Sequence, residues 1–420
     1  MSISWNPFLN LIIEVKRRYE NKFRRECSYE PICEQVNHTC VNRWLNEIGD
    51  ESISNMFSGI TLWQYGDFIT AHYVSYFRAI DGKGEFVKYD KFFSIYDGLY
   101  MECRGVTVDV KNEILVLAPF RKFMNLMECP ETHIDVIKER IKKAKTIEYT
   151  EKLDGSMISA SIYNDKLVLS GSSCNHPEKS IPVKNSILYI EKNNNYALMM
   201  SNYPKHTFIF EHIFPKIDSH VVIYKNEGLY LIGLRDNVTG KEYTYDEVIR
   251  IASVYSIPTT RIIQTSLTDI LNCLDDKKAD EAEGFVLSID GFKVKIKYND
   301  FAEIQKLIKG LINPNAIMRA IEDGKIDDMV SKLPKNYLEI ANQYRNEIYE
   351  MINNIDFKVR LYCKSIGNMS RKEAMIWINE NVPKKYMSFV KNYYLGNPIS
   401  YLKEYSGHYK TYQELLELEK

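Results

Sequence analysis

The stretch IEYTEKLDGSMISASI, residues 147–162, ends an apolar-rich run at a lysine, Lys152, and follows it with Leu153, Asp154, Gly155 and Ser156. It reads as a strand, a tight turn and an alternating strand from Met157 to Ile162, because an Asp–Gly pair is the commonest hairpin-turn chemistry. Alone, it describes a surface hairpin with a solvated lysine. Other polar residues stand at similar places. Arg104 opens the strand in MECRGVTV, Glu211 lies inside the apolar FIFEHIF, and Glu283 precedes the apolar run of EAEGFVLSI. In FKVKIKY, Lys293, Lys295 and Lys297 share one strand face, with Val294 and Ile296 on the other. Singly, each has an ordinary explanation: edge lysines that block aggregation, a snorkelling arginine, surface glutamates. Together they bring an arginine, several lysines and two glutamates to strands of one β-rich region, around a turn lysine.

Such a set could transfer a nucleotidyl group. A lysine amine is a poor nucleophile near neutrality, because its ordinary pKa is about 10.4. Nearby cations and partial desolvation lower that value. Lys295 and Lys297 are candidates for those cations, and a hydrated metal is another. The same charges would hold a phosphate and stabilise the charge that develops on it. Carboxylates such as Glu211 and Glu283 would hold magnesium, which prefers oxygen ligands. The parts fit a covalent lysine–phosphoamide intermediate.

These residues need a scaffold. A chain of 420 residues exceeds one compact core, so two domains are expected. Its composition, 45% hydrophobic and 26% charged, is that of a soluble globular protein, and no apolar run is long enough to span a bilayer. The first residues do not form a secretory signal: Asn10 and Glu14 break the apolar stretch, and the basic residues follow it. They read as an amphipathic helix with Phe8, Leu11, Ile12, Val15 and Tyr19 on one face. A net charge of −1 excludes a protein coated in positive charge, but a local basic groove would suffice for nucleic acid. Eight scattered cysteines imply a reduced, intracellular protein. Cys27, Cys33, His38 and Cys40 lack the paired spacing of a zinc site, so free thiols are the expectation.

Residues 1–60 are expected to form a helical extension packed on the catalytic domain. Residues 61–299 are β-dominated, with strand candidates RGVTVDV, EILVLAP, KTIEYTEKL, SMISASIY, KLVLSGSS, TFIFEHIF, HVVIYK, LYLIGLRD, EGFVLSID and FKVKIKY. Beyond Tyr298 the pattern becomes helical. Tyr337, Ile340, Tyr344, Ile348, Met351 and Ile355 recur at three- and four-residue spacing, so residues 300–420 are expected to be an all-helical domain.

EKLDGS resembles the K-x-D-G nucleotidylation motif of polynucleotide ligases and capping enzymes. The succession ECRG, KLDGS, FIFEHIFP, LIGLRDNVTGKEY, EGFVLSI and KVKIKY resembles the motif order of that superfamily. MECRGV, RKFMNL, FEHIFP with HVVIY, RDNVTGKEYTYDEV and AEGFV with FKVKIK are similar to the bacteriophage-type ATP-dependent RNA ligase 1 family, from about residue 65 to at least 330. NPNAIMRAIEDGKIDDM, with Asp327 and Asp328, is similar to part of that family's C-terminal domain. The resemblance implies an α+β fold: a nucleotidyltransferase (ATP-grasp-like ligase) domain with antiparallel sheets, plus the all-helical C-terminal domain.

It also implies roles. Lys152 would take AMP from ATP. Tyr73, Arg104 and Lys122 would belong to the ATP site, the last two contacting the triphosphate or an RNA phosphate. Lys295 and Lys297 would grip the α-phosphate. Glu211 would bind ribose or help place metal, Glu283 would support Mg2+ or Mn2+, and Asp327 and Asp328 would hold a metal hydrate. RNA would be the partner, a tRNA broken in its anticodon loop, joined by a monomer in the cytoplasm, the host's if the chain is viral. Three positions depart from the family. Ser170 in LSGSS stands where a functional lysine is expected, Phe301 where a tyrosine is, and Tyr73 is the nearest candidate for a tyrosine expected near residue 71. Three rivals remain: a nick-sealing ligase, a capping guanylyltransferase, and a non-enzymatic phage assembly factor that kept the fold. A helical C-terminus speaks against the first two, which usually add an OB-fold.

Overall fold

The computed structural model describes residues 4–74, 81, 84–85, 91, 94–217, 220–311, 320–321, 323–331, 333 and 335–399. Residues 75–80 of the aromatic-rich stretch LWQYGDFITAHYVSYFRAI, most of NPNAIMRA and the last twenty-one residues lie outside them. The chain divides into two compact units, residues 1–299 and 300–420.

Among its described residues, the first unit holds three antiparallel sheets. Strands β1 (Ile60–Tyr65), β2 (Phe68–Tyr73), β3 (Arg104–Asp109) and β4 (Ile114–Leu117) form one, in sequence order. Strands β5 (Ile147–Lys152), β10 (Gly284–Ile289) and β11 (Phe292–Lys297) form the second, with β10 central. Strands β6 (Ser156–Tyr163), β7 (Lys166–Gly171), β8 (His206–Ile213) and β9 (Gly228–Asp236) form the third, in the order β7-β6-β8-β9.

Helices α1 (Pro7–Phe23), α2 (Cys40–Ile48) and α3 (Glu51–Phe57) cover the first sheet. The α1 start follows from Asn6, whose side chain accepts the Leu9 N–H, and from Pro7, whose missing N–H is not needed there. Phe8, Ile12 and Val15 on α1 and Trp44 on α2 join Leu62, Ile69 and Val106 in one core. Each fully buried side chain of this size stabilises by about 1.5–3 kcal/mol relative to exposure. Three basic residues of α1 and its C-terminal flank are tied into this structure. Lys16 pairs with Glu113 at 2.8 Å, Arg18 with Glu14 and Asp50, and Arg25 with Glu47.

The described part of the second unit contains helices and no strand: Asn299–Leu311, Ile326–Ser331, Lys335–Ile366, Arg371–Asn381 and Lys384–Tyr394. Ile348, Met351 and Ile355 are buried on the long helix, as their spacing requires.

Candidate active site

The turn lysine does not sit in a hairpin. β5 pairs with β10, in a register that sets Lys152 opposite Gly284, whereas β6 pairs with β7 and β8. Leu153–Gly155 therefore crosses from one sheet to another. The expected hairpin is corrected because β5 finds its partner far along the chain, and Asp154, in the middle of the crossing, is anchored to a separate segment. The Asp154 carboxylate accepts the N–H groups of Val221 (2.7 Å) and Val222 (3.1 Å). Its own N–H donates to the Tyr224 hydroxyl at 2.6 Å. HVVIYK, expected as a strand, is an irregular segment, with two of its N–H groups spent on Asp154. Gly155 is required by space. A Cβ there would lie 2.6 Å from the His212 carbonyl oxygen and 2.8 Å from Glu211 Cγ.

Glu283 immediately precedes β10 and is buried. Its Oε2 lies 2.6 Å from Lys152 Nζ and its Oε1 2.8 Å from Lys297 Nζ. Burial acts to lower the Lys152 pKa, but Glu283 and then Glu211 outweigh it, and the net shift is upward. The expected lowering is thus corrected for the free protein: the carboxylates beside Lys152 govern it, not the cations. The lowered lysine is Lys295, pushed down to about 6 by burial and then by Lys122, Arg104, Lys152 and Lys297. Glu211 is pushed up to about 7, chiefly by burial, with Lys152 opposing and Glu283 and Asp154 adding.

A cavity of about 450 Å³ opens beside Lys152. Arg104, Glu211, Lys293 and Lys295 line it with Phe123, while Thr150, Ile232, Tyr245, Val286 and Ser288 supply a less charged wall. The Phe123 ring lies near two basic side chains, 4.7 Å from Lys295 Nζ and 6.0 Å from Arg104 Cζ. Lys293 pairs with Glu242. The cavity thus joins a cationic end, suited to phosphates, to a space suited to a base and sugar.

The other expected residues are distributed as follows. Glu283 and Lys297 stand behind Lys152 and are not among the lining residues. Lys122 lines an adjoining cavity of about 560 Å³ that shares Phe123 and Lys293 with the first. Its Nζ lies 5.6 Å from the ring of Tyr73, at the end of β2. Ser170 is buried and donates to the Gly171 carbonyl at 2.8 Å; Gly171, Ser172 and Ser173 reach the cavity instead. Asp327 and Asp328 open the helix Ile326–Ser331 of the second unit, where Asp327 accepts from Arg345 at 2.9 Å. Phe301 is buried in that unit.

Sequence reasoning missed Phe123 and Tyr224 as parts of the site. Both lie inside the quoted motifs RKFMNL and HVVIYK, but only the fold shows that one reaches the cations and the other the Asp154 backbone.

Residues 102–301 match the model of a family described as RNA ligase. A Thermovibrio ammonificans protein described as "Putative RNA ligase" is 30% identical over 194 residues, which are 45% of this chain and 47% of that protein. The chain thus spans about half the length of this curated relative. Among solved structures, an archaeal ATP-dependent RNA ligase aligns with a TM-score of 0.38 at 13% identity, over 67% of this chain and 84% of that one. A mutant RNA ligase of Naegleria gruberi with ATP and Mn aligns with a TM-score of 0.36 at 18% identity, over 45% and 60%.

Proposed function

We propose that this chain, whose residues 102–301 match the RNA ligase family model, is an ATP-dependent RNA ligase that works through AMP carried on Lys152. The observation that supports it most is Lys152 itself. It stands at a sheet-to-sheet crossing, held by Glu283, beside a cavity with Lys295 and Arg104 at one end.

In the first step the Lys152 amine attacks the α-phosphorus of ATP. A P–N bond forms, and the P–O bond to pyrophosphate breaks. In the second, an oxygen of the RNA 5′-phosphate attacks the AMP phosphorus, a P–O–P bond forms, the P–N bond breaks and Lys152 is released. In the third, a 3′-hydroxyl attacks that activated phosphate, a phosphodiester forms and AMP leaves. All three are phosphoryl transfers, which positioning and charge stabilisation can catalyse. Arg104, Lys122, Lys295 and Lys297 receive phosphate oxygens, and Tyr73 supports Lys122. Lys152 rests as a paired ammonium, so substrate binding must shift its balance away from the carboxylates.

A divalent metal fits this donor set only in part. Among the described residues there is no group of three or more metal-binding side chains, and Glu283 spends both oxygens on lysines. Glu211 and Glu283 suit magnesium or manganese that keeps most of its waters and shares the substrate's phosphates. Such an ion would add positive charge at the phosphates and relieve the carboxylates that hold Lys152 protonated. Asp327 and Asp328 are proposed to hold a hydrate of a metal.

Residues 61–299 would be the adenylyltransferase domain, 1–60 its helical support, and 300–420 the part that selects RNA. A tRNA broken in its anticodon loop is the proposed substrate, joined by a monomer in the cytoplasm. The test uses RNA with a 5′-phosphate and a 3′-hydroxyl, magnesium, and either ATP or GTP labelled at the α-phosphate. Joined or circular RNA with ATP alone, lost in Lys152→Ala, is the expected result. Label transferred from GTP instead would redirect the reading to capping. No joining and no label with folded protein would overturn it.

A further inference from the structure

We propose that Arg235, sealed by Trp5, is a positioning residue that sets the two cationic segments of the site. The inference rests on the nucleotidyl-transfer reading above. Arg235 lies near the end of β9, its side chain only 7% exposed. One guanidinium nitrogen donates to Glu102 Oε2 at 2.8 Å and to the Pro119 carbonyl at 2.8 Å. The other terminal nitrogen reaches Glu102 Oε1 at 3.4 Å, and Nε donates to the Gly240 carbonyl at 3.0 Å. The Trp5 ring covers the guanidinium, with 4.3 Å between Cζ and the ring centroid.

The two anchored points are roots of the site. Glu102 stands two residues before Arg104, and Pro119 three before Lys122 and four before Phe123. The Lys122 N–H donates to the Met101 carbonyl at 2.7 Å, so the two segments are also joined to each other. Beyond Phe123 the same segment is stitched to β11: Lys295 N–H donates to Met124 O at 2.9 Å, and Leu126 N–H to Lys295 O at 2.8 Å. Arg235 therefore fixes one end of a strap whose other end is the strand of Lys295.

The N-terminal segment closes this arrangement. Trp5 Nε1 donates to the Asn237 carbonyl at 2.9 Å, while Asn237 Nδ2 donates to the Val116 carbonyl at 2.8 Å. Gly240, at φ +76°, makes room for Trp5; a Cβ there would stand 2.6 Å from the indole. A guanidinium suits the place because its planar fork serves a carboxylate and a carbonyl together, which a lysine ammonium cannot do in the same geometry. This gives the first residues of the chain a role in the site, although they lie outside the cavity.

The test compares wild type, Arg235→Lys and Trp5→Ala in full-length protein. The rate of label transfer from α-labelled ATP is measured at saturating and subsaturating ATP and divided by the folded fraction from circular dichroism. A misplacement of about 1 Å can slow a reaction about 100-fold. Arg235→Lys is expected to be slower by about that factor per folded molecule, with a raised KM for ATP. Trp5→Ala, which removes no charge, is expected to be about 10-fold slower. Trp5→Phe, which keeps a ring over the guanidinium, should restore most of the rate. Wild-type rates per folded molecule in both Arg235→Lys and Trp5→Ala would overturn the inference. If Arg235→Lys does not fold, the Trp5 pair decides alone by the same criterion. Absence of label from wild type would overturn the enzymatic reading itself, and the inference with it.

Discussion

Glu283 holds Lys152 and Lys297 at once, with Oε2 2.6 Å from one ammonium and Oε1 2.8 Å from the other. One buried carboxylate thus stores the proposed nucleophile and a proposed phosphate ligand as a compact charged triad. Removing either lysine leaves Glu283 one partner, whereas removing the carboxylate takes an acceptor from both. Lys152→Met should abolish label transfer and destabilise by about 1–3 kcal/mol, below the 3–5 kcal/mol of a wholly broken buried pair. Glu283→Leu should be the more destabilising of the two. Urea unfolding of both variants checks the order; a reversed order would contradict the triad.

Lys295 illustrates a conflict between stability and binding. Its pKa, lowered to about 6 from the ordinary 10.5, means that the unfolded chain holds the extra proton between those two values. The resulting destabilisation is full below about pH 6 and fades as pH rises towards 10.5. Lys295→Met should therefore raise the unfolding midpoint at pH 6–7, with a gain that shrinks at alkaline pH, while weakening label transfer. Unfolding curves across that range test the sign. Pyrophosphate should stabilise wild type more than the variant, because an anion relieves the crowding of cations.

Glu211 has the opposite slope. Its carboxyl is raised from the ordinary 4.5 to about 7, so the folded state holds the extra proton between those values. Wild-type stability from this group is intact below about pH 4.5 and is lost as pH rises to about 7. Glu211→Gln should flatten that fall, and the stability difference between variant and wild type should grow across this window. A constant difference would contradict burial as the main cause.

The Asp154 turn makes a structural prediction. Its carboxylate accepts two backbone N–H groups from the segment that also places Tyr224. Asp154→Ala should cost about 1–3 kcal/mol by leaving those donors unsatisfied. Tyr224→Phe, which removes one acceptor from the Asp154 N–H, should cost about 1 kcal/mol. Amide hydrogen exchange at Val221 and Val222 should rise sharply in the first variant and little in the second.

Local pattern made much of this readable. Alternation placed β3, β5, β6, β8, β10 and β11, and three- and four-residue spacing placed the buried faces of α1 and the long C-terminal helix. The motifs also named Lys152, Glu211, Glu283, Lys295 and Arg104, which the structure gathers in one place. What local pattern could not carry was pairing at long range. The turn of Leu153–Gly155 has hairpin chemistry, yet β10 takes β5 away from β6. HVVIYK has strand composition, yet its N–H groups satisfy Asp154. The sign of the Lys152 shift is hidden for the same reason: the sequence contains both lysines and glutamates, and only the fold sets Glu283 2.6 Å from Lys152.

The most direct measurement is to map the adduct. The protein is stripped of bound AMP with pyrophosphate, incubated with α-labelled ATP and magnesium, digested, and its peptides sequenced by mass spectrometry. The expected result is a single acid-labile AMP phosphoamide on Lys152, absent from Lys152→Met and reversed by pyrophosphate. An AMP adduct on another residue, or none from folded wild type, would contradict Lys152 as the nucleophile.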